Sequence, residues 1–457
     1  MTEEIAMSDK KTYLVAGSGI SGIAAAKLLV QAGEDVVLYD GNTKIVEEDL
    51  RAKLGPAAGI SIVLGELPET LVEEVTACII SPGIPLRVPF VQQLKAAGVP
   101  LWSEIELAYR YGNGRIAAIT GTNGKTTTTA LTGEILAEAF PDTHVVGNIG
   151  IPYTEKAAML QENSMVAAEI SSFQLESIVD FHPAVTAILN ITPDHLDRHG
   201  SMEEYIRVKE SITANQTAED WCVLNYEDEE LRRFGQEECV PQVVFFSSQR
   251  IMPGGLYLQE GNIISEIDGE REIVCHIEEL NILGRHNYEN VMAAVGICRK
   301  MGVPMEQIRH ACVHFRAVEH RIEFVREVQG VTYYNDSKGT NTDAAIQAVK
   351  AMVRPTVLIG GGYDKGSEYD DWIAEFPGKV RLLILIGQTA SKIAETAVRM
   401  GFDQILYADS MEEAVALASS HAASGEAVLL SPACASWGMF KNYEERGRIF
   451  KELVNQL

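Results

Sequence analysis

The stretch ITGTNGKTTTTA, residues 119–130, sets Gly121, Gly124, Lys125 and Thr126 between an apolar run and a helical pattern. Glycines let a backbone wrap its N–H groups around phosphates, a lysine reaches β and γ oxygens, and a hydroxyl takes Mg2+. Thr122, Asn123 and Thr127 complete the cradle. The spacing is shorter than the common GxxxxGK[ST] loop, so this is a variant built for a nucleoside triphosphate. Such a loop needs an acidic partner for its metal. VAAEISS supplies Glu169 at the end of an apolar run, and VTAILNITPDHLDRH supplies Asp194, His195 and Asp197 just past the next one. Ligands of parallel sheets gather at the carboxyl ends of strands, so these groups are expected to converge on the loop.

SMEEYIRVKESI, which follows, opens with a capping box of Ser201 and Glu204. Met202, Tyr205, Ile206 and Ile212 mark its inward face, and Lys209 falls on that face. An inward lysine costs desolvation unless it is paired or modified. The bland alternative is a covered stem with the amine snorkelling to water.

A second glycine loop, GSGISG, carries Gly17, Gly19 and Gly22 in G-x-G-x-x-G order between a strand and a helix, with Asp40 ending the next strand. Its default reading is a dinucleotide site; another nucleotide or a structural turn satisfies the same residues. In the C-terminal third, NDSKGTN (335–341), GGGYDKG (360–366) and SPACASWGMFKNYEERG (431–447) each follow an apolar strand. Asp336 and Lys338 suit ribose and phosphate, Lys365 and Ser436 suit a carboxylate, and Arg321 is placed to swing onto phosphate.

The elements that must hold these groups are α/β units. Apolar runs such as YLVAG, VVLYD, IAAITG, TVLIGGG and LLILIG alternate with helical patterns, which implies parallel sheets covered on both faces. At roughly 150 residues per domain, 457 residues make about three domains. The boundaries fall near Trp102–Ser103 and Val313–Val318, giving 1–103, 104–317 and 318–457. Residues 239–280 read as short strands with turns, an antiparallel patch. Hydrophobic residues at 46 % and charged residues at 22 % are ordinary for a globular chain. A net charge of −26 argues against nucleic acid as the main partner. Seven scattered cysteines without a CxxC pair fit a reducing cytoplasm. MTEEIAMSDKK lacks an apolar core, so no signal peptide is expected, and no run is long enough to span a bilayer.

Together GSGISG, SPGIP, ITGTNGKTT, GNIGIP, EISSFQLE, LNITPDHLDRH, GRHNYEN, HRIE, NDSKGTN, GGGYDKG and SPACAS, in this order, resemble the Mur ligase family of peptidoglycan synthesis. The resemblance covers nearly the whole chain, and SSFQLE with SPACAS favours its D-glutamate-adding branch. It implies a Rossmann-like N-terminal domain, a central P-loop ATPase-type parallel-sheet domain and a C-terminal Rossmann-like domain. It also explains two glycine loops in one chain: the first holds a UDP-sugar, the second ATP. The implied substrates are UDP-N-acetylmuramoyl-L-alanine, D-glutamate and ATP, acted on by a cytoplasmic monomer.

Carried over by residue, the resemblance implies that Ile20, Ser21 and Asp40 read the uracil end. Ser81, Gly83, Asn148 and His195 contact the diphosphate or sugar. Lys125 and Thr126 take ATP phosphate and Mg2+, with Glu169 as a metal ligand; His195 and Lys209 hold a second Mg2+, the lysine carrying a carbamate. Asn287, Asn290, Arg321, Asp336 and Lys338 serve ATP, and Thr340, Lys365, Ser436 and Tyr443 receive D-glutamate. Two positions depart from the family pattern. Gly41 follows Asp40 where a hydroxyl residue is expected, and Tyr443 stands where Phe is frequent. The competing readings are a ligase for another amino acid, a folylpolyglutamate synthase-like ligase, a dinucleotide oxidoreductase and a non-catalytic P-loop switch.

Overall fold

The apolar runs become parallel strands whose two faces are both covered. The structure is a computed structural model that describes residues 11–55, 59–148, 150–316 and 318–457. The start of the chain, parts of GNIGIP and of the second expected boundary lie outside the described residues. The first sheet comprises β1 (Thr12–Ala16), β2 (Asp35–Asp40), β3 (Ile60–Leu64), β4 (Ala77–Ile80) and β5 (Leu101–Ser103), all parallel, in the order β3-β2-β1-β4-β5. GSGISG leaves β1 where the strand order reverses, the position at which such sheets open a crevice. Its glycines are fixed by close approach. Gly17 has φ +98°, and a Cβ on Gly22 would lie 1.8 Å from the Gly17 carbonyl oxygen.

The second sheet holds β6 (Arg115–Thr120), β7 (Thr143–Gly147), β8 (Met165–Glu169), β9 (Val185–Ile188), β10 (Trp221–Asn225), β11 (Gln242–Ser247), β12 (Leu256–Gln259), β13 (Asn262–Ser265) and β14 (Glu272–His276). Its order is β14-β13-β12-β11-β10-β9-β6-β8-β7. Strand β6 lies between β8 and β9, so the P-loop, too, leaves a switch point. The antiparallel patch expected at 239–280 needs a correction: β11 and β12 pair in parallel, with Phe246 opposite Leu256 and Ser247 opposite Tyr257. They overlap only at the end of β11, so the segment 248–255 returns the chain by two positions instead of folding a hairpin.

The third sheet holds β15 (Glu323–Val328), β16 (Val331–Asn335), β17 (Thr356–Gly360), β18 (Val380–Leu385), β19 (Ile405–Tyr407) and β20 (Ala427–Leu430), in the order β15-β16-β20-β17-β18-β19. β15 runs antiparallel to β16, and the remaining pairs are parallel. Side chains alternate between two cores. Leu358, Leu383 and Leu429 join one; Val357, Ile359, Ile384 and Val428 join the other.

The chain divides into two compact units. One comprises Met1–Gln259, Ile264–Val274 and Met292–Ala311; the other comprises Glu260–Ile263, Cys275–Val291 and Cys312–Leu457. Within the first, one buried cluster runs continuously from Tyr13, Val15 and Leu38 through Ile105 and Leu107 to Ile116, Ala118 and Phe181. Among the described residues no helix is long and apolar enough to cross a membrane. The seven cysteines are free thiols.

Candidate active site

In the first unit, Gly124 adopts φ +87° and starts the helix Lys125–Ala139, leaving the helix's first N–H groups facing the loop. The loop is stitched to the segment after β9. Thr122 N–H donates to the Asn190 carbonyl (2.9 Å) and Asn123 N–H to Asn190 Oδ1 (2.8 Å). Thr122 Oγ1 reaches the Thr192 carbonyl and the Tyr205 hydroxyl, each at 3.1 Å. Lys125 Nζ lies back on its own loop, donating to the Gly121 and Thr122 carbonyls at 2.8 and 2.9 Å.

Lys209 is buried, at 1 % exposure, and its Nζ donates to the same Gly121 carbonyl at 2.8 Å. The snorkelling alternative is therefore overturned: the amine points into the protein, toward the P-loop. Burial first, then the Lys125 charge, holds its pKa well below the usual lysine value, against a weaker pull from Asp194. The capping box of its helix is only half formed. Ser201 Oγ accepts from Glu204 N–H at 3.2 Å. The Glu204 carboxylate turns instead to Arg207, at 2.9 and 2.5 Å, because a charged partner outcompetes a neutral N–H.

Glu169 ends β8, opposite Ile119 of β6, and is 2 % exposed. Asn148 Nδ2 donates to its Oε1 at 3.0 Å, and Asn148 N–H to its main-chain oxygen at 2.8 Å. Thr126 and Thr127 are buried beside the loop. His195 adopts φ +52° and is exposed, its ring 4.9 Å from Phe173 and its N–H on Asp194 Oδ1. Thr126 and Glu169 offer hard oxygen donors, which fit Mg2+. A buried lysine amine with a lowered pKa fits a carbamate.

On the sugar-nucleotide side, Ser18 N–H and Oγ both donate to Asp40 Oδ2, at 3.0 and 2.6 Å. Burial pushes the Asp40 carboxyl up, but these bonds and one from Asn42 outweigh it and leave it below the usual range. Ile20 projects at 77 % exposure on the first turn of its helix, next to Ser21. Ser81 Oγ is buried against Gly17 and has no hydrogen-bond partner among the described residues, a donor suited to a diphosphate oxygen. Gly83 has open space over its Cα.

Sequence reasoning missed the group that joins this loop to the P-loop side. Arg198 donates to the carbonyls of Pro82 (3.0 Å) and Ile84 (3.1 Å) on either side of Gly83. It also donates to Glu176 at 2.6 Å and lies over the Phe173 ring at 4.4 Å. His199, 3.0 Å from Ser172 Oγ and 3.5 Å from Glu176, stacks on the same ring, 5.6 Å between centroids. Burial drives the His199 pKa down, with Glu176 opposing. The sequence marked LDRH only as the tail of a motif.

The second unit brings its three loops together. Gly361 N–H donates to the Pro432 carbonyl and Tyr363 N–H to the Ala435 carbonyl. Ser431 Oγ donates to Asp336 Oδ2 at 2.7 Å. Lys365 lies over the ring of Trp437 at 5.2 Å, and Ser436, the residue before that tryptophan, is buried. Lys338 Nζ lies 3.8 Å over the Tyr443 ring, which puts Tyr443 against the expected nucleotide loop. Thr340 follows, its N–H on the Lys338 carbonyl. Asn290 Nδ2 donates to Asn287 Oδ1 at 3.1 Å on the helix Arg285–Lys300. Arg321 acts on both neighbours: its charge depresses His286 further below its burial-lowered value, to about 4, and partly offsets the burial of Asp336.

Burial pushes the Asp336 carboxyl up to about 7 despite Ser431, Arg321 and Arg446. An unfolded aspartate titrates near ~3.9. Between these values the folded chain binds more protons than the unfolded chain, so stability falls as pH rises through them. Asp336→Asn is expected to flatten that slope. The midpoint of thermal unfolding, followed between about pH 5 and pH 8, should fall more steeply in the wild type than in the variant. Parallel curves would contradict the assignment.

Comparison with known proteins agrees with this geometry. Residues 11–103 match the MurD-like N-terminal domain of Mur ligases, residues 119–298 the Mur ligase middle domain, and residues 320–434 the Mur ligase glutamate ligase domain. The chain belongs to the Mur ligase family. This Mur ligase is 54 % identical over 448 residues to a UDP-N-acetylmuramoylalanine–D-glutamate ligase from Lachnospira eligens, covering 98 % of this chain and 99 % of that one. It is 53 % identical to the protein of the same name from Lachnoclostridium phytofermentans, covering 98 % of each. Among solved structures, UDP-N-acetylmuramate-alanine ligase MurC from Thermotoga maritima superposes with a TM-score of 0.61 at 18 % identity, covering 98 % of this chain and 99 % of that one. A pseudomurein peptide ligase type C from Methanothermus fervidus gives 0.58 at 20 %, covering 98 % and 100 %. At such identities these two speak for the fold.

Proposed function

We propose that this Mur ligase uses ATP to join D-glutamate to UDP-N-acetylmuramoyl-L-alanine, in the cytoplasm and as a monomer. The observation that carries the reading is the 54 % identity, across nearly the full length, to a protein named for that reaction. We take residues 1–103 as the UDP-sugar domain, 104–317 as the ATP-binding domain and 318–457 as the amino-acid domain. The positions of the three sheets support this division.

Making an amide from a carboxylate and an amine near neutral pH requires a leaving group. The terminal L-alanyl carboxylate attacks the γ-phosphorus of ATP; a P–O bond forms, the bridging P–O bond breaks, and ADP leaves with that electron pair. The D-glutamate amine, as the free base, then adds to the acyl carbon. The tetrahedral intermediate loses inorganic phosphate, and the amine proton passes to solvent or phosphate. Two anions meet in the first step. Lys125, Thr126 and the N–H groups of residues 121–127 would stabilise charge on the transferring group. Thr126 and Glu169 would hold one Mg2+, and His195 with a carbamate on Lys209 a second; bound there, the metals supply charge neutralisation. Ser81, Gly83 and Asn148 would orient the UDP-sugar, and Thr340, Lys365, Ser436 and Tyr443 the amino acid.

Phosphate release from ATP and UDP-N-acetylmuramoyl-L-alanine should appear with D-glutamate and not with L-glutamate, L-lysine or meso-diaminopimelate. Release with another of these amino acids in place of D-glutamate would move the enzyme to a different branch of the family.

A further inference from the structure

Arg446 is the most deeply buried cation of the second unit, at 0 % exposure, on the first turn of the helix Tyr443–Asn455. Its hydrogen bonds go to main chain and a hydroxyl. Nε donates to Ser337 Oγ (3.0 Å), Nη2 to the Ser337 carbonyl (2.8 Å) and Nη1 to the Cys434 carbonyl (3.1 Å). Ser337 Oγ in turn donates to the Tyr443 carbonyl at 2.8 Å. The third loop abuts the same group: a Cβ on Gly362 would lie 3.4 Å from Nη1 and 2.4 Å from the Ala435 carbonyl oxygen. One guanidinium therefore meets NDSKGTN, SPACAS and GGGYDKG. Burying such a charge is costly, and here it touches main chain from loops far apart in sequence. A planar fork with fixed donor directions suits that task; an ammonium does not.

We propose that Arg446 is a positioning residue that couples these three loops so that they order together, and that nucleotide at the 335–341 loop thereby pre-forms the amino-acid pocket at Lys365 and Ser436. The inference rests on the assignment of those loops to ATP and D-glutamate. A nucleotide that orders the shared piece lowers the ordering cost of the second ligand, which makes binding cooperative without new contacts.

Calorimetric titration of D-glutamate, with and without a non-hydrolysable ATP analogue, tests it. In the wild type the analogue should tighten D-glutamate binding by about fivefold or more. In Arg446→Lys, which keeps the charge and loses the fork, that factor should fall toward one; in the milder Ser337→Ala, which loses the hydroxyl between the guanidinium and the Tyr443 carbonyl but keeps the two main-chain bonds, it should fall by about half. Affinity for the UDP-sugar, read on loops of the other unit, should stay within about twofold. Ser337→Ala folds with the smallest perturbation and decides the matter if Arg446→Lys does not fold. A variant that keeps the full factor, or a wild type that shows none, overturns the inference and leaves the ligase reading standing. A wild type that releases no phosphate with D-glutamate overturns both.

Discussion

Lys209→Ala is expected to lower turnover by about two to three orders of magnitude while leaving the fold intact. The lysine is buried, shares the Gly121 carbonyl with Lys125 and carries a strongly lowered pKa. A second ammonium beside the first would be repelled by it, which adds to burial in lowering the Lys209 pKa. Only a neutral amine takes up CO2: nitrogen bonds to carbon, one proton leaves, and the buried amine would become a carbamate anion that offers two oxygens. Stability should hardly suffer. The Gly121 carbonyl keeps its bond from Lys125, and removing a buried amine relieves desolvation. Bicarbonate or a short carboxylate is expected to restore part of the activity by refilling the ligand position. Wild-type turnover in the variant would sink this role. Lost turnover with a collapsed melting transition would assign the lysine to structure instead.

Lys125→Ala should cost a similar ~10²–10³ in kcat, for a different reason. Its Nζ rests on two loop carbonyls, a parked position from which a phosphate oxygen, as a charged acceptor, would draw it. Without it, two anions approach with less compensation, while the UDP-sugar loops are untouched. UDP-sugar affinity should therefore stay unchanged in an equilibrium titration. There is also a consequence for its neighbour. The Lys125 charge contributes to the lowered Lys209 pKa, so in the variant Lys209 should hold its proton to higher pH, and activation by CO2 should shift alkaline. The double variant should lose less than the product of the two single losses, because the side chains act on one carbonyl. Strict multiplicativity would mean that they work independently.

Much of this was legible in the chain, and the legible part has a pattern. The P-loop, Glu169 and the inward face of the Lys209 helix depend on residues close in sequence: a strand end, a glycine turn, a helical period. The three C-terminal loops could be assigned to one sheet edge because each follows an apolar strand. What stayed hidden depends on partners far along the chain. Arg446 reads as an ordinary surface arginine in KNYEERG until Ser337 and Cys434 arrive beside it. Arg198 reads as part of a metal motif until the SPGIP carbonyls close over it. Local reasoning also overreached where a neighbour competed, as when Arg207 took the Glu204 carboxylate from its capping role. The parallel pairing of β11 with β12 escaped because a short connection ordinarily signals a hairpin.

The uninterrupted cluster from Tyr13 to Phe181, with Arg198 tied to the carbonyls of Pro82 and Ile84, bears on how such enzymes can be recombined. A chimera cut at the joint after Ser103 would tear a single apolar mass and strip a guanidinium of its two main-chain acceptors, leaving it Glu176, so a transplanted sugar-binding half would need its host's helix 104–111 remade along with it. The C-terminal sheet brings its own pair of apolar layers, but Leu283 packs against one of them and the unit takes in residues 275–291, so a cut near residue 318 would leave part of that unit behind.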